Sequence, residues 1–291
     1  MTPSKPPISE SAPAAEARRR RSTLILTLVA ALTILVPVLF WKQTWFGQPL
    51  TDEQITEYLA DTARPRHMQQ ALVQIEERIE RGDSSAERWY PQMAGLKDSP
   101  VVELRVTLAW VLGTDNRSEV FHETLLAMLR DTELLVRRNA ALSLVRFGDA
   151  SGREEILKML EPYTVHAGEA GLLRYRLEEG KSVDSGTLLA RIERADGSMA
   201  EIRSPAPGRL SSRDLRDGTA VTAGQKIATL VPREDHVWEA LRALVLVGRQ
   251  EDLPLVESFA HASDETYPDR IREQASLTAA EIRKRESEMR Q

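Results

Sequence analysis

The sequence predicts an α+β fold with one transmembrane helix near the N-terminus and a helical array that a small all-β unit interrupts. Three observations support this prediction. An uncharged apolar run extends from residue 22 to residue 41. Amphipathic helical periodicity fills residues 51–162 and returns at 236–288. Between these stretches, frequent glycines and short runs of Val, Leu and Ile replace the helical period, which is typical of short strands joined by tight turns.

The composition excludes several classes of function. The chain has 291 residues, no cysteine and a formal net charge of -5. The absence of cysteine excludes disulfides, thiolate metal sites and thiol nucleophiles. A nucleic-acid binder needs a basic face that displaces counterions from phosphates, whereas this chain is acidic. We therefore predict no nucleic-acid partner.

The apolar run is the predicted membrane anchor, at residues 22–46. About 20 helical residues cross the ~30 Å of hydrocarbon in a bilayer. Arginines precede the run and aromatic residues follow it, as at the two interfaces of a membrane; they are Arg18, Arg19, Arg20 and Arg21, then Phe40, Trp41 and Trp45. The alternative is a cleaved signal peptide, which the length of the run and its bulky end oppose.

The positive-inside rule gives the predicted location. Residues 1–21 are a disordered basic tail in the cytoplasm, and the body lies outside the cytoplasmic (inner) membrane as a single-pass protein. The body is periplasmic if the envelope has two membranes. The predicted partners are the lipid bilayer, through the N-terminal helix, and other envelope proteins.

A repeat is visible in the helical stretches. Residues 104–112 match residues 136–144 at a shift of 32, and a weaker copy begins at Ile271-Arg272. Such a shift predicts a repeat of two helices. The pattern resembles HEAT repeats, in which an apolar residue followed by Arg, here Val136-Arg137, opens the inner helix. The resemblance implies an α-solenoid over 51–162 and 236–288, and an ordinary helical bundle is the alternative.

The β unit, at residues 163–233, repeats itself internally. Residues 177–192 align with 215–230 at an offset of 38, and the glycines of one half match those of the other. The Glu-Gly-x-x-Val-x-x-Gly pattern and Ser204-Pro-Ala-Pro-Gly208 resemble the biotinyl/lipoyl fold, which is also the barrel-sandwich hybrid of periplasmic adaptor proteins. The resemblance implies a flattened sandwich of two four-stranded halves. Because the helical pattern returns at 236–288, we infer that this unit is inserted into the helical array.

The hairpin between the two halves decides what this resemblance implies about function. Carrier domains present there the lysine that receives biotin or lipoate, but residues 193–199 contain no lysine. The long helical hairpin of adaptor proteins is also absent from this position. We therefore predict no cofactor and disfavour a carrier or catalytic subunit.

The remaining polar residues predict a surface for partners rather than a catalytic centre. The five histidines have no spacing typical of metal ligands, and we find no catalytic constellation. The candidate partner surface lies on a helix and at the β hairpin; it comprises Arg137, Arg138, Arg146, Asp196 and Met199. The predicted function is a membrane-anchored, non-enzymatic scaffold or adaptor for other proteins. The alternative is a subunit of an efflux or secretion complex, and the sequence leaves partner identity and oligomeric state open.

Overall fold

The computed structural model describes residues 49–262 and 267–289. The chain divides into two compact units, residues 1–54 and 55–291. In the first unit, the described residues contain the start of helix α1 (Asp52–Ala60). Gln54 Oε1 accepts a hydrogen bond from the Thr51 N–H at 2.9 Å, and Thr51 Oγ1 accepts one from the Gln54 N–H at 3.3 Å. This reciprocal pair satisfies two amides at the beginning of α1.

The second unit contains further helices on both sides of the β module. They are α2 (Pro65–Glu80), α3 (Tyr90–Gly95), α4 (Val102–Val111), α5 (Glu119–Met128), α6 (Leu134–Arg146), α7 (Arg153–Lys158), α8 (Glu234–Val247), α9 (Leu253–Ala260) and α10 (Asp269–Met289). Short 3-10 turns lie at Ser84–Trp89, Leu96–Asp98, Leu112–Thr114 and Gln250–Asp252.

Every second helix belongs to one row. Helix α2 packs against α4, α4 against α6, α6 against α8, and α8 against α10. The intervening helices form a second row, in which α5 contacts α6, α7 contacts both α6 and α8, and α9 contacts α10. Two-layer packing of this kind lets each helix bury one face against its neighbours.

Hydroxyl side chains fix neighbouring helices of the first row. Ser143 Oγ on α6 donates to the Ala109 carbonyl of α4 at 2.7 Å, and Thr278 Oγ1 on α10 donates to the Leu241 carbonyl of α8 at 2.9 Å. Close approach at the first contact requires glycine, because a Cβ on Gly113 would lie 2.6 Å from Ser143 Oγ. The two halves of the array therefore use the same type of contact.

The β module has eight strands in two antiparallel sheets. The strands are β1 (Tyr163–His166), β2 (Gly171–Tyr175), β3 (Ser182–Val183), β4 (Leu188–Glu193), β5 (Met199–Arg203), β6 (Gly208–Arg213), β7 (Ala220–Val221) and β8 (Lys226–Val231). The first sheet has the order β1-β8-β6-β3 and the second β5-β4-β2-β7. Val183 and Val221, which match in the internal repeat, occupy equivalent buried positions on β3 and β7.

The turns of the module follow the same internal symmetry. Gly180 and Gly218 have φ values of 83° and 80°, and Gly186 and Gly224 have values of 81° and 79°. Left-handed backbone at these points favours glycine, because a Cβ would be strained there. The 38-residue offset read from the sequence therefore coincides with equivalent turns in space.

The structure has the α+β class, but it corrects the predicted transmembrane helix. In residues 49–262 and 267–289, no helix is long and apolar enough to cross a membrane. The longest of these helices, α10, carries ten charged residues along its length, and each would oppose insertion into hydrocarbon. The predicted anchor at 22–46, with its flanking Arg18–Arg21, Phe40, Trp41 and Trp45, lies outside the described residues. We therefore assign no transmembrane helix, single-pass topology or inner-membrane location.

Candidate functional site

A cleft of about 490 Å³ lies where the β module meets the helical array. We call it the junction cleft. Its described lining comes from the first sheet, from the linker into α8 and from the start of α10; it comprises Ser182, Arg209, Val231, Pro232, Arg233, Glu234, Asp235, Tyr267 and Arg270. Its volume lies within the range of ~300–1,000 Å³ that is common for ligand sites, but five of its nine described lining residues are charged, whereas such sites are lined mainly by apolar side chains.

The floor of the junction cleft is one face of the first sheet. Arg209 on β6 is the register partner of Ser182 on β3 and of Val231 on β8. Because directly paired residues of antiparallel strands project to the same side of a sheet, these three side chains stand side by side. The central position of β6 places Arg209 in the middle of this row.

The wall of the junction cleft is formed by the first residues of α8 and α10. Arg233 forms an ion pair with Asp184 at 3.0 Å and a hydrogen bond through its Nε to Asp235 at 3.1 Å. Arg270 lies 3.7 Å from a carboxylate oxygen of Glu234. The acidic groups of the wall are thus already neutralised by two of the three arginines.

Arg209 is the arginine of the cleft that remains without a carboxylate. Among the described residues, Arg209 has no hydrogen bond or ion pair from its side chain, which is exposed. The charge of Arg209 affects the pKa of Tyr267. Burial raises the pKa of the Tyr267 phenol, Glu234 raises it further, and the Arg209 charge opposes the rise. Tyr267 is therefore a neutral hydroxyl donor next to an uncompensated guanidinium.

A second arginine lies behind the linker that borders the cleft. Arg138 on α6 is only 7% exposed, and its Nε has no hydrogen-bond partner among the described residues. It lines a separate cavity of about 10 Å³ with Tyr163 and His236, which is room for one water molecule at most. Burial lowers the pKa of Arg138, and the nearby Glu155 carboxylate partly restores it.

His236 lies in the same positively charged surroundings. Burial lowers the pKa of its imidazole, Asp235 opposes this effect, and the charges of Arg138 and Arg233 lower the pKa further. The imidazole is therefore neutral at pH 7 and adds no charge to the junction.

The five residues of the predicted partner surface do not lie together on one exposed face. Arg137 lies 3.4 Å from Glu155 and donates to the Asp131 carbonyl at 2.8 Å, so it serves the packing of the array. Arg138 is buried, which is incompatible with direct use by a partner. Arg146 is exposed, and its guanidinium lies 4.8 Å from the centre of the Trp110 ring.

The other two predicted residues, Asp196 and Met199, lie at the β4–β5 hairpin. Asp196 accepts hydrogen bonds from the Ser198 N–H at 2.9 Å and from the Ser198 hydroxyl at 2.7 Å, and these bonds lower its pKa. Met199 is 47% exposed at the beginning of β5. The turn between these strands, residues 194–198, contains Arg, Ala, Asp, Gly and Ser, none of which has the amine that a biotinyl or lipoyl amide requires.

Sequence reasoning missed Arg209, Tyr267 and Arg270. They come from strand β6 and from the start of α10, about 60 residues apart in the chain, and none belongs to a motif. The internal repeat indicated turns and strand positions but did not indicate which sheet face would meet the helices. Among the described residues, no group of three or more His, Cys, Asp or Glu could hold a metal ion.

Comparison with known proteins does not identify a family. No protein-family model matches the chain, and no curated protein matches it. Among solved structures, the chain is similar to a single-chain, multi-domain long-chain acyl-CoA carboxylase with 18% identity and a TM-score of 0.24. This similarity covers 37% of the present chain and 10% of the carboxylase. A TM-score this low does not establish a common fold.

Proposed function

We propose that the chain is a non-enzymatic scaffold that binds another protein through the exposed face of the first helix row. The observation that supports this proposal is the Trp110–Arg146 pair. Trp110 on α4 is 40% exposed, and Arg146 from the next helix of the row lies over its ring. Tryptophan and arginine are the residue types that most often dominate binding energy at protein interfaces.

The chemistry of this pair defines the partner. Among the described residues, Arg146 has no carboxylate within ion-pair distance, and its weak hydrogen bond to the Gly113 carbonyl, at 3.4 Å, leaves most of its donors available. A partner segment that places an aliphatic side chain on Trp110 and a carboxylate at Arg146 satisfies both groups. Glu76 also lies near this pair, and its raised pKa, caused by burial and by Glu80, is partly offset by Trp110 and Arg146.

A photo-crosslinking amino acid at Glu103 tests this function in cells that contain the full chain. Glu103 is exposed on α4, and its position seven residues before Trp110 places both on one side of the helix. We expect a discrete crosslinked partner that disappears in Trp110→Ala and in Arg146→Glu. The matched control is a crosslinker at Glu123, which is exposed on α5 of the second row.

Two results would contradict the scaffold proposal. One is an identical set of crosslinked proteins from positions 103 and 123, and the other is a partner whose capture both variants leave unchanged. Far-UV circular dichroism of each variant establishes that it is folded, so a lost crosslink reports the surface and not the stability.

A second candidate function uses the β module to join copies into a ring, as in adaptor complexes. Strand β5 is at the end of its sheet, so one row of its backbone amides and carbonyls lacks a neighbouring strand in the module and can accept one from another chain. Sedimentation at increasing protein concentration tests it. We expect self-association that Glu201→Pro abolishes, because the alternation of the β4–β5 ladder directs the Glu201 N–H away from β4. A monomer at every concentration would exclude this function.

A further inference from the structure

The junction cleft combines an uncompensated positive charge with hydrogen-bond donors. Arg209 contributes the charge, while the hydroxyls of Ser182 and Tyr267 contribute neutral donors from the floor and the wall. The other two arginines, Arg233 and Arg270, face Asp235 and Glu234. A guanidinium has five donors in a planar fork that fits a carboxylate with two parallel hydrogen bonds, and at Arg209 this fork has no partner among the described residues.

The surroundings increase the attraction of the junction cleft for anions. Arg138 lies behind Val231 and Pro232, residues that line both its own cavity and the cleft. Its guanidinium is buried and forms no hydrogen bond or ion pair within the described ranges. Buried charges are screened less than exposed ones, so Arg138 adds positive potential at this point of a chain whose net charge is -5.

The exposure of the lining distinguishes between a free small anion and a segment of protein. Five of the nine lining residues, including Arg209 and Arg270, are exposed. Sites for small ligands bury most of the ligand and are mainly apolar, whereas a small anion in this cleft would retain most of its hydration. A peptide that presents several carboxylates contacts the floor and the wall at the same time. It therefore gives up less hydration for each contact that it forms with the protein.

We propose that the junction cleft binds an acidic segment, rich in Asp and Glu, of a partner protein, with Arg209 as the residue that receives a carboxylate. Ser182 and Tyr267 donate to further carboxylate oxygens, and Arg270 exchanges Glu234 for a carboxylate of the partner. This inference rests on the proposed scaffold function and adds a second contact, on the β module, to the one at Trp110.

Fluorescence anisotropy of the full chain with labelled hexaglutamate and hexaglutamine peptides tests the inference. We expect hexaglutamate to bind and hexaglutamine to bind at least tenfold more weakly. Arg209→Gln should weaken hexaglutamate binding about tenfold, which is the order expected for the loss of one charge-assisted contact. The matched control is Arg216→Gln, because Arg216 is exposed in the same module, undergoes the same change of charge and lies outside the cleft.

Three results would overturn the inference. They are equal binding of the two peptides, no binding of hexaglutamate at low ionic strength, and equal losses in Arg209→Gln and Arg216→Gln. Inorganic phosphate as competitor provides a separate arm: displacement of the peptide by submillimolar phosphate would show a site for free anions instead of a protein segment. If the crosslink at position 103 persists while these peptide results are negative, the scaffold function remains and only the junction cleft is excluded.

Discussion

Arg138 and Arg137 are consecutive residues on α6 with opposite environments. Arg137 donates hydrogen bonds to the Asp131 and Thr132 carbonyls at 2.8 and 3.0 Å. The Nε of Arg138, in contrast, is buried without a hydrogen-bond partner among the described residues. A helix turns about 100° per residue, so neighbouring arginines point to different sides. From the sequence, the two arginines are grouped as one basic surface, because the sequence alone does not show which of them faces the β module.

The substitution Arg138→Met should stabilise the protein. It removes a buried charge that forms no hydrogen bond and keeps a side chain of similar length, and replacing buried charges in this way is neutral or stabilising by about 1 kcal/mol or more. Glu155 does not lose its neutralisation, because Lys158 lies 2.8 Å and Arg137 3.4 Å from it. Urea denaturation at pH 7 measures the free energy of unfolding.

The neighbouring substitution Arg137→Met is the matched control and should have the opposite sign. It removes the donor to two loop carbonyls and should cost about 1–2 kcal/mol. If both variants lose the same amount of stability, Arg138 has a satisfied partner in solution and the interpretation of its environment is wrong.

At the scale of the helix, the arginine that follows the apolar residue at the start of each repeat forms a hydrogen bond to the preceding loop. Arg105 donates to the Ser99 carbonyl at 2.7 Å, and Arg137 donates to the Asp131 carbonyl at 2.8 Å. Arg272 makes the same contact with the Tyr267 carbonyl at 3.2 Å. In each case the arginine closes the loop that leads into its own helix, which explains why an apolar residue followed by Arg is the visible sign of the repeat.

The repeat could be predicted from the sequence because its causes are local. The loop, the arginine and the apolar face all lie within about ten residues of one another. The junction cleft could not be predicted, because Arg209 and Tyr267 meet only after the β module has packed on the helices. The exposure of Trp110 was also not predictable, since a tryptophan in a helix with apolar neighbours is more often buried.

Asp131 connects two repeats, and its replacement by Asn should destabilise the array. Its carboxylate receives two hydrogen bonds from Arg105, at 2.7 and 3.0 Å. The side chains are 9% and 11% exposed, so Asp131→Asn leaves Arg105 buried without a charge partner. We expect a loss of about 3 kcal/mol at pH 7, measured by urea denaturation. Asp98→Asn is the control, because Asp98 is exposed beside Lys97, and it should change stability by less than about 0.5 kcal/mol.

The contribution of Asp131 should depend on pH. Burial raises the pKa of Asp131, but the hydrogen bonds from Arg105 and the Glu133 N–H outweigh it, and the pKa is lower than in the unfolded chain. A carboxyl with a lowered pKa stabilises the fold above its unfolded pKa, about 3.9, and this contribution is lost as pH falls through the folded pKa. The difference between wild type and Asp131→Asn should therefore be constant from pH 5 to 7 and shrink below pH 4. A difference that persists undiminished at pH 2 would contradict this explanation.

For the second unit as a whole, the helices before and after the β module share one core. Ala141 and Ile156 from the first part pack in the same cluster as Leu241 and Ile271 from the second. Arg153 on α7 adds a polar link, because its Nε donates to the buried carboxylate of Asp252 at 2.8 Å. The array is therefore continuous across the insertion, and each side contributes to the stability of the other.

The β module has a separate core, which contains residues such as Leu173, Ile192 and Ile227. Its two ends lie together, since Tyr163 on β1 is the register partner of Leu230 on β8, and paired residues of antiparallel strands have Cα atoms about 5 Å apart. A module with its own core and adjacent ends is the kind of insertion that a host fold tolerates at its surface.

Replacement of residues 163–231 by the linker Gly-Ser-Gly should therefore leave the helical array folded. We expect a cooperative thermal transition by far-UV circular dichroism and an unchanged crosslink from position 103, because both depend on helices that keep their core. The same deletion should abolish hexaglutamate binding, because Ser182 and Arg209 leave with the module. The control is Asp252→Ala in the full chain, which breaks the buried pair with Arg153 and should cost about 3–5 kcal/mol. An excised chain without cooperative unfolding would show that the module is required for the array, because the helices on either side of residues 163–231 could not then form their common core alone.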